Sequence, residues 1–129
     1  MANKVDVITS KDYARVGYGP KTFKRAILNG EATAYGYYEY KGKTTSSGIK
    51  ITTSQINKLV AVDKTNIKIG EALEVYSRRT KKLIFRGVAN DYCPSKPKHT
   101  GNAVLIDCFL NSLKDCNNFG RQDVVIFIV

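Results

Sequence analysis

LVAVD, residues 59 to 63, is a short apolar run that ends in an aspartate, and the chain repeats this pattern in FRGVAND (85 to 91) and AVLID (103 to 107). Such runs favour buried strands, whereas an ionised carboxylate buried without a partner is costly. Each aspartate is therefore expected where a strand gives way to a loop, at a rim or cleft. We predict that Asp63, Asp91 and Asp107 line one site, although each residue taken singly is also a common turn or cap residue.

The segments around these runs indicate the fold class. Short stretches rich in strand-forming residues follow Gly30 and are separated by Gly, Asn, Lys and Ser. SRRTKK, residues 77 to 82, is typical of a hairpin tip, and FLNSLKDCNNFG predicts one helix, near Phe109 to Asn117, that ends at Gly120. The pattern predicts a mainly β chain, in which at least six strands form a closed barrel and the helix covers one opening.

The first 30 residues differ from the rest of the chain. Residues 1 to about 20 are polar without sustained periodicity. Phe23, Ala26 and Ile27 have helical spacing before Gly30, which predicts a short helix from Lys21 to Asn29. We therefore divide the chain into an N-terminal arm with a short helix, residues 1 to 30, and a barrel domain, residues 31 to 129.

The charge balance favours anionic partners. The chain has 21 Lys and Arg against 11 Asp and Glu, a net charge of +10. This excess suits nucleic acid, anionic lipid or phosphate-rich wall polymers, and a merely solvated basic surface fits equally well. The basic residues are dispersed without a nucleic-acid-binding signature, and no apolar stretch reaches the ~18 residues of a membrane span. We expect neither nucleic acid nor a membrane as partner, and the N terminus predicts no Sec signal peptide.

The cysteines leave two possibilities open. The chain has three cysteines, Cys93, Cys108 and Cys116, and an odd number argues against a complete disulfide framework. It has one histidine, His99, which argues against a zinc site. A bridge between Cys93 and Cys108 is conceivable if the strands that precede them are neighbours. In a reducing cytosol three free thiols are expected instead. Cys93 and His99 make a poor nucleophile and base, because no third orienting group is evident.

Five segments have a distinctive residue order: EATAY (31 to 35), TTSSG (44 to 48), AVDKTNIKIGEALEV (61 to 75), IDCF (106 to 109) and NFGRQDVVIFI (118 to 128). Together they resemble the bacterial three-aspartate (3D) domain, a small barrel related to the catalytic barrel of membrane-bound lytic transglycosylase A. The resemblance covers Glu31 to Val129 and implies a six-stranded double-psi β-barrel. The segment that begins at Asp91 departs from this family and is similar to the DxCP loop of expansin and barwin barrels.

The resemblance implies a peptidoglycan-degrading lytic transglycosylase that cleaves the MurNAc-GlcNAc bond. In that family the IDxF aspartate, here Asp107, protonates the glycosidic oxygen and then takes a proton from the sugar's own 6-hydroxyl. The product is a 1,6-anhydro sugar, and no metal or cofactor is implied. Apolar burial, or the charges of Asp63 and Asp91, would raise the pKa of Asp107. The substrate-binding candidates are Tyr35, Thr45 and Ser47, of which the last two also fit a polar turn.

Other functional classes stay open from the sequence. Two carboxylates at a defined separation permit an ordinary glycoside hydrolase. The altered segment after Asp91 favours a carbohydrate-binding module or a phage tail component that does not cleave. With no leader, an enzyme of this kind is expected to be made in the cytoplasm and to reach the wall on a phage virion or by release. Residues 1 to 30 would then attach it to a tail or baseplate protein; the rival is a cellular wall-remodelling fragment whose leader was removed.

Overall fold

The structure, a computed structural model, describes residues 6–93 and 103–129. The described residues form seven strands: β1 (Val7–Ile8), β2 (Arg25–Gly36), β3 (Leu59–Val62), β4 (Ala72–Ser77), β5 (Leu83–Tyr92), β6 (Val104–Leu110) and β7 (Gln122–Ile128). They also form two helices, α1 (Tyr37–Tyr40) and α2 (Leu113–Phe119), and two short 3-10 turns, Ser10–Arg15 and Thr53–Gln55. None of the described helices has the length and apolar character that a membrane span requires.

Six of these strands close into a barrel in the order β2, β6, β3, β5, β4, β7, and β7 returns to β2. The pairs β2–β6 and β3–β5 are parallel, and the other neighbours in the barrel are antiparallel. β1 adds to the first part of β2 as an extra strand. The expected mainly β fold with a closed six-stranded barrel is confirmed.

The barrel interior is filled by apolar side chains that alternate along the strands. Leu73 and Val75 of β4 and Val124, Ile126 and Ile128 of β7 are all fully buried in this core. The residues between them on β7 face the opposite side of the sheet. This alternation leaves a distinct outer face, on which polar residues can be placed.

The predicted helix from Lys21 to Asn29 is wrong, because the chain from Arg25 onward belongs to β2. Ala26 packs in a cluster outside the barrel and Ile27 packs in the barrel core, so both are buried. A strand covered on both faces loses its polar and apolar alternation, and its apolar spacing then resembles that of a helix. Gly30 lies within β2 instead of stopping a helix, and a Cβ there would approach the Ile126 side chain to 2.8 Å.

The segment before β2 packs on the barrel. Ile8 and Phe23 join Ala26, Val125 and Phe127 in a second buried cluster on the outer side of β2 and β7. Phe23 meets Phe127 nearly edge-on, with 5.0 Å between the ring centroids. β2 therefore begins before the expected barrel boundary at Glu31, and residues expected in the arm bury apolar surface against the barrel. Attachment of residues 1 to 30 to another protein stays a prediction.

The second helix starts later than the sequence predicts. α2 covers Leu113–Phe119, whereas Phe109 and Leu110 belong to β6. Ser112 caps the helix, since its hydroxyl accepts a hydrogen bond from the Asp115 N–H at 3.1 Å. The predicted end at Gly120 is confirmed, with a φ of +63° at that glycine. The predicted hairpin tip at residues 77 to 82 is also confirmed, because it joins the antiparallel strands β4 and β5.

The long connection from β2 to β3 covers part of the outer face. Its Ile51 packs on Leu59 of β3 and Phe109 of β6, together with Tyr35 of β2. The Tyr38 N–H donates to the Asn111 carbonyl oxygen, which ties the start of this connection to the end of β6. The connection is thereby held against side chains on the outer face of three barrel strands, β2, β3 and β6.

Candidate functional site

One row of residues crosses four neighbouring strands: Thr33 on β2, Asp107 on β6, Ala61 on β3 and Asp91 on β5. Ile106 and Cys108, on either side of Asp107, point into the barrel core, so Asp107 points outward. Residues paired across strands face the same side of a sheet, and the row therefore lies on the outer face. We call Thr33, Tyr35, Asp91 and Asp107 the carboxylate face.

Asp107 lies in the middle of β6, not at its end as predicted. The strand continues to Leu110 because its pairing with β2 runs on through Gly36. The Thr33 hydroxyl donates a hydrogen bond to Asp107 Oδ1 at 2.5 Å. Burial raises the pKa of Asp107, while the Thr33 hydrogen bond and the charge of Arg121 oppose this rise. Asp107 therefore retains its proton to a higher pH than an exposed aspartate does.

Asp91 is the next-to-last residue of β5, close to the predicted strand end. Its Oδ1 accepts hydrogen bonds from the Ser46 hydroxyl at 2.5 Å, the Ser46 N–H at 3.2 Å and the Tyr92 N–H at 2.8 Å. A register shift at Asn90 brings Asp91 opposite Ala61. Three converging bonds fix this carboxylate, and the connection between β2 and β3 supplies two of them.

Asp63 directly follows β3, as predicted. Its Oδ1 accepts from the Thr65 N–H at 3.0 Å, and its Oδ2 accepts from the Asn66 side-chain amide at 2.8 Å. Both carboxylate oxygens are therefore used in its own turn. This geometry fits the turn interpretation of Asp63 better than a role at the carboxylate face.

Cys93 directly follows β5, two residues after Asp91. Burial, followed by the charges of Asp107, Asp63 and Asp91, raises the pKa of Cys93 to about 12. One thiol is therefore within electrostatic range of all three carboxylates. The same high pKa keeps this thiol protonated at neutral pH, which makes it a poor nucleophile.

All three cysteines are free thiols in this structure, as expected for a reducing compartment. Cys108 is fully buried in the barrel core, and burial raises its pKa, with smaller contributions from Asp107 and Cys93. The predictions for His99 and for the DxCP-like segment beyond Cys93 fall on residues 94–102, which lie outside the described residues.

Tyr35 lies two residues after Thr33 on the same side of β2. Its ring packs against Phe109 and Tyr40, with centroid distances of 4.9 Å and 5.2 Å. Burial, then the charges of Asp91 and Asp107, raise the pKa of the Tyr35 hydroxyl, so this group stays protonated and can donate. The hydroxyl oxygen is buried and has no hydrogen-bond partner within the described ranges.

Unpartnered buried polar atoms are uncommon because each one has lost its hydrogen bonds to water. Asn90 Oδ1, on the residue that precedes Asp91, is a second such atom in the described part of the chain. The Tyr35 hydroxyl can donate a hydrogen bond and Asn90 Oδ1 can accept one. Tyr35, a predicted substrate-binding residue, is placed beside both candidate carboxylates.

Thr45 and Ser47 have the geometry of a turn. Their hydroxyl oxygens are 2.9 Å apart, and Thr45 Oγ1 accepts from the Ile49 N–H at 3.2 Å. Ser46, between them, is the residue that contacts Asp91. The sequence alone points to neither Ser46 nor Thr33 as site residues. The alternation in EATAY is a signal for Thr33, since it puts Thr33 on the same face as Tyr35.

No group of three His, Cys, Asp or Glu side chains in the described ranges is arranged to hold a metal ion. The carboxylates instead contact hydroxyl, amide and backbone donors. Comparison of the chain with protein-family models gives no match, and comparison with the curated proteins gives none either.

Proposed function

We propose that this protein is a glycan-cleaving enzyme, a peptidoglycan lytic transglycosylase in which Asp107 acts as acid and then as base. The observation that carries this proposal is the setting of Asp107 itself. It is an outward-facing but largely covered carboxyl with a raised pKa, held by Thr33 and placed near the unpartnered hydroxyl of Tyr35. A general acid needs a proton that survives to the working pH, and burial moves the pKa of Asp107 in that direction.

Each step of the reaction has a group that can perform it. Protonated Asp107 gives its proton to the glycosidic oxygen as the bond from that oxygen to C1 breaks. The Asp107 carboxylate then takes the proton of the 6-hydroxyl, whose oxygen bonds to C1 and closes the 1,6-anhydro ring. The proton returns to Asp107, and no water is consumed.

Thr33 and Tyr35 have separate parts in this scheme. The Thr33 hydroxyl donates to Oδ1, which stabilises the carboxylate formed in the first step and leaves Oδ2 for the substrate. The Tyr35 hydroxyl keeps its proton and can donate to a sugar oxygen, which would satisfy a buried group that otherwise lacks a partner. Asp91, which Ser46 holds in place, lies at the opposite end of the row from Thr33.

We also propose that the barrel has the double-psi topology of the 3D domain. Support comes from the two parallel pairs, β2–β6 and β3–β5, which are joined through the antiparallel pair β3–β6. An experimental structure of the full chain, including residues 94–102, would test this topology. The proposed partner is the glycan strand of peptidoglycan, and the excess of basic residues supports approach to an anionic wall. Virion attachment through residues 1 to 30, or release to the wall, is proposed on the resemblance alone.

A second candidate is a glycoside hydrolase that uses Asp107 as acid and Asp91 as base. The two aspartates share one row with only Ala61 between them, so their Cα atoms are roughly 9 to 10 Å apart at ordinary strand spacing. Inverting hydrolases hold two carboxyl groups at a comparable separation. The three hydrogen bonds on Asp91 Oδ1 fix its position, which favours a structural role and hence the transglycosylase.

Mass spectrometry of purified peptidoglycan after incubation with the protein tests these alternatives. Anhydro-sugar ends support the transglycosylase, and new reducing ends support the hydrolase. If the glycan is unchanged but the protein sediments with it, the chain is a binding module and the enzymatic proposal is wrong. The Asp107→Asn variant is the control, because any product that it still makes cannot depend on this acid.

A further inference from the structure

A cleft of about 700 Å³ lies between the β4–β5 hairpin and the connection from α2 to β7. Three arginines line it, Arg78, Arg79 and Arg121, together with Asn118, Gln122 and one acid, Asp123. The three guanidinium groups outnumber the one carboxylate, and a guanidinium is suited to bidentate contact with a carboxylate or a phosphate. The lining therefore favours an oxyanion.

Two of the arginines are held in place by acids on the barrel. Glu31 on β2 lies directly opposite Asp123 on β7, an arrangement in which two like charges repel. Arg121 Nη1 contacts Glu31 Oε1 at 3.1 Å, and Arg78 Nη2 contacts Asp123 Oδ1 at 3.2 Å. Each ion pair offsets the repulsion and positions a guanidinium. A guanidinium has five N–H donors, so donors remain for a ligand.

Arg79 supplies positive charge that these acids do not offset. It is exposed and has no ion pair among the residues that the structure describes. Lys81 and Lys82, also exposed, follow on the same hairpin. The hairpin is anchored to β7, because the Arg78 N–H donates to the Asp123 carbonyl oxygen at 3.0 Å. The surplus charge is thus carried by a fixed part of the fold.

The cleft adjoins the carboxylate face. Glu31, which holds Arg121, lies two residues before Thr33 on the same side of β2, about 7 Å along the strand. Thr33 in turn holds Asp107. Arg121 is also close enough to Asp107 to oppose the rise of its pKa. A polymer that lies over Asp107 could therefore place an acidic substituent in the cleft.

We propose that the cleft formed by Arg78, Arg79 and Arg121 binds an oxyanion, a phosphate or carboxylate group, on the polymer whose glycan lies over Asp107. The identity of that polymer rests on the proposed function, whereas the affinity of the cleft for an oxyanion does not. The substrate class is then a glycan with acidic substituents. The acidic group is either a phosphate of a wall polymer or a carboxylate of an attached peptide.

Binding is measured by NMR titration of the full chain, with inorganic phosphate in one arm and the dicarboxylate glutarate in the other. We expect saturable shifts of the amide signals of Arg78, Arg79 and Arg121 in at least one arm. Saturation by phosphate identifies a phosphate source, and saturation by glutarate identifies a carboxylate source. If neither probe saturates, the proposal is wrong.

Arg79→Ala is the informative variant, because the Arg79 side chain is exposed and supports no ion pair in the described part of the fold. It should raise the Kd for the saturating probe about tenfold, the loss expected for one charged hydrogen-bonding group. Lys58→Ala is the matched control. The carbonyl of Lys58 accepts from Val88, which pairs with Ala72 at the end of β4 remote from Ser77 and the cleft.

Equal losses in Arg79→Ala and Lys58→Ala would show only diffuse attraction to a basic protein and would overturn the site. Asp107→Asn separates this inference from the proposed function. It should reduce glycan cleavage by ~10² to 10⁴ while phosphate or glutarate still binds with a Kd near that of the unmodified chain. Oxyanion binding without any cleavage by the unmodified chain would support the cleft and refute the enzyme.

Discussion

Asp107 is subject to two opposing influences. Burial favours its protonated form, and the Thr33 hydrogen bond favours its carboxylate. A group that must give a proton and then take one back benefits from both. The other two aspartates hold their hydrogen-bond partners in a fixed geometry, Asp63 within its own turn and Asp91 through Ser46.

Replacement of Asp107 by Asn is expected to reduce glycan cleavage by ~10² to 10⁴, the usual loss when a general acid is removed. The fold should persist, because the amide oxygen can still accept the Thr33 hydrogen bond. Rates of anhydro-product formation and the thermal unfolding curve measure the two effects. Asp115→Asn, on the exposed first turn of α2, is the control and should leave the rate unchanged. Asp63→Asn should reduce the rate less than Asp107→Asn, and a full rate in Asp107→Asn would contradict the assignment.

The thiols allow an independent test of the region around Asp107. We expect thiol counting in denaturant without reductant to give three thiols per chain, since Cys93, Cys108 and Cys116 are all free. In the native protein at neutral pH all three should react slowly with a thiol reagent, because burial raises each pKa. A count of one would mean that Cys93 and Cys108 are bridged, which would pin the loop after Asp91.

At the residue scale, the sequence predicted the strand-end position of Asp63 and, within one residue, that of Asp91. That all three aspartates line one site stays a prediction. The sequence did not predict that Asp107 lies mid-strand. AVLID continues into CFL, and only pairing with β2 shows that the strand runs on to Leu110. Thr33 and Ser46 contact aspartates 74 and 45 residues away in the chain. Such partners depend on register across strands, which local patterns do not contain.

At the element scale, the helix predicted before Gly30 was wrong because this part of the chain is a strand buried on both faces. The N-terminal half of β2 has the apolar spacing of a helix because Ala26 and Ile27 are covered from opposite sides. Elements with one polar face, such as β4 with its alternating burial, match their sequence pattern. The end of α2 is predictable for a different reason, since its stop signal, Gly120, acts locally and needs no long-range information.

An ion pair joins the start of β2 to the turn before β4. Arg25 contacts both carboxylate oxygens of Glu71, at 2.7 Å and 2.8 Å, and also donates to the Asn66 carbonyl oxygen. The hydrogen bond from Arg25 is the main cause that lowers the pKa of Glu71 to about 2. A carboxyl with a lowered folded-state pKa stabilises the fold above its unfolded pKa, near 4.5, and loses that effect as the pH falls through about 2.

Glu71→Gln should therefore lower the free energy of unfolding at pH 7 by about 2 kcal/mol, the scale of a hydrogen bond between charged groups. The difference from the unmodified chain should shrink as the pH falls from 4.5 towards 2. Denaturant unfolding at several pH values measures it. Glu74→Gln is the control. Within the described residues the only ion pair of Glu74 is with the exposed Arg86, at 3.3 Å, and an exposed ion pair contributes little to stability. A pH-independent effect of Glu71→Gln would mean that packing, not charge, is lost.

At the scale of the whole molecule, the segment before β2 belongs to the same packed unit as the barrel. Phe23 is 7% exposed and packs on Phe127, and a Cβ at Gly19 would lie 2.5 Å from the Phe127 ring. β2 itself starts at Arg25 and pairs with β7 from that residue onward. A chain cut at Glu31 would lose these pairings and uncover Phe127.

Phe23→Ala is therefore expected to lower the free energy of unfolding by about 3 to 5 kcal/mol, the usual cost of deleting a buried aromatic ring. Unfolding should remain a single transition, because the ring is shared between the N-terminal segment and β7. Val7→Ala, at a side chain that is 43% exposed on β1, is the control and should change the free energy by less than about 0.5 kcal/mol. Circular dichroism in increasing denaturant measures both. If Phe23→Ala unfolds at the same denaturant concentration as the unmodified chain, residues 1 to 30 are a loosely held arm after all, and a separate attachment role becomes the better account of them.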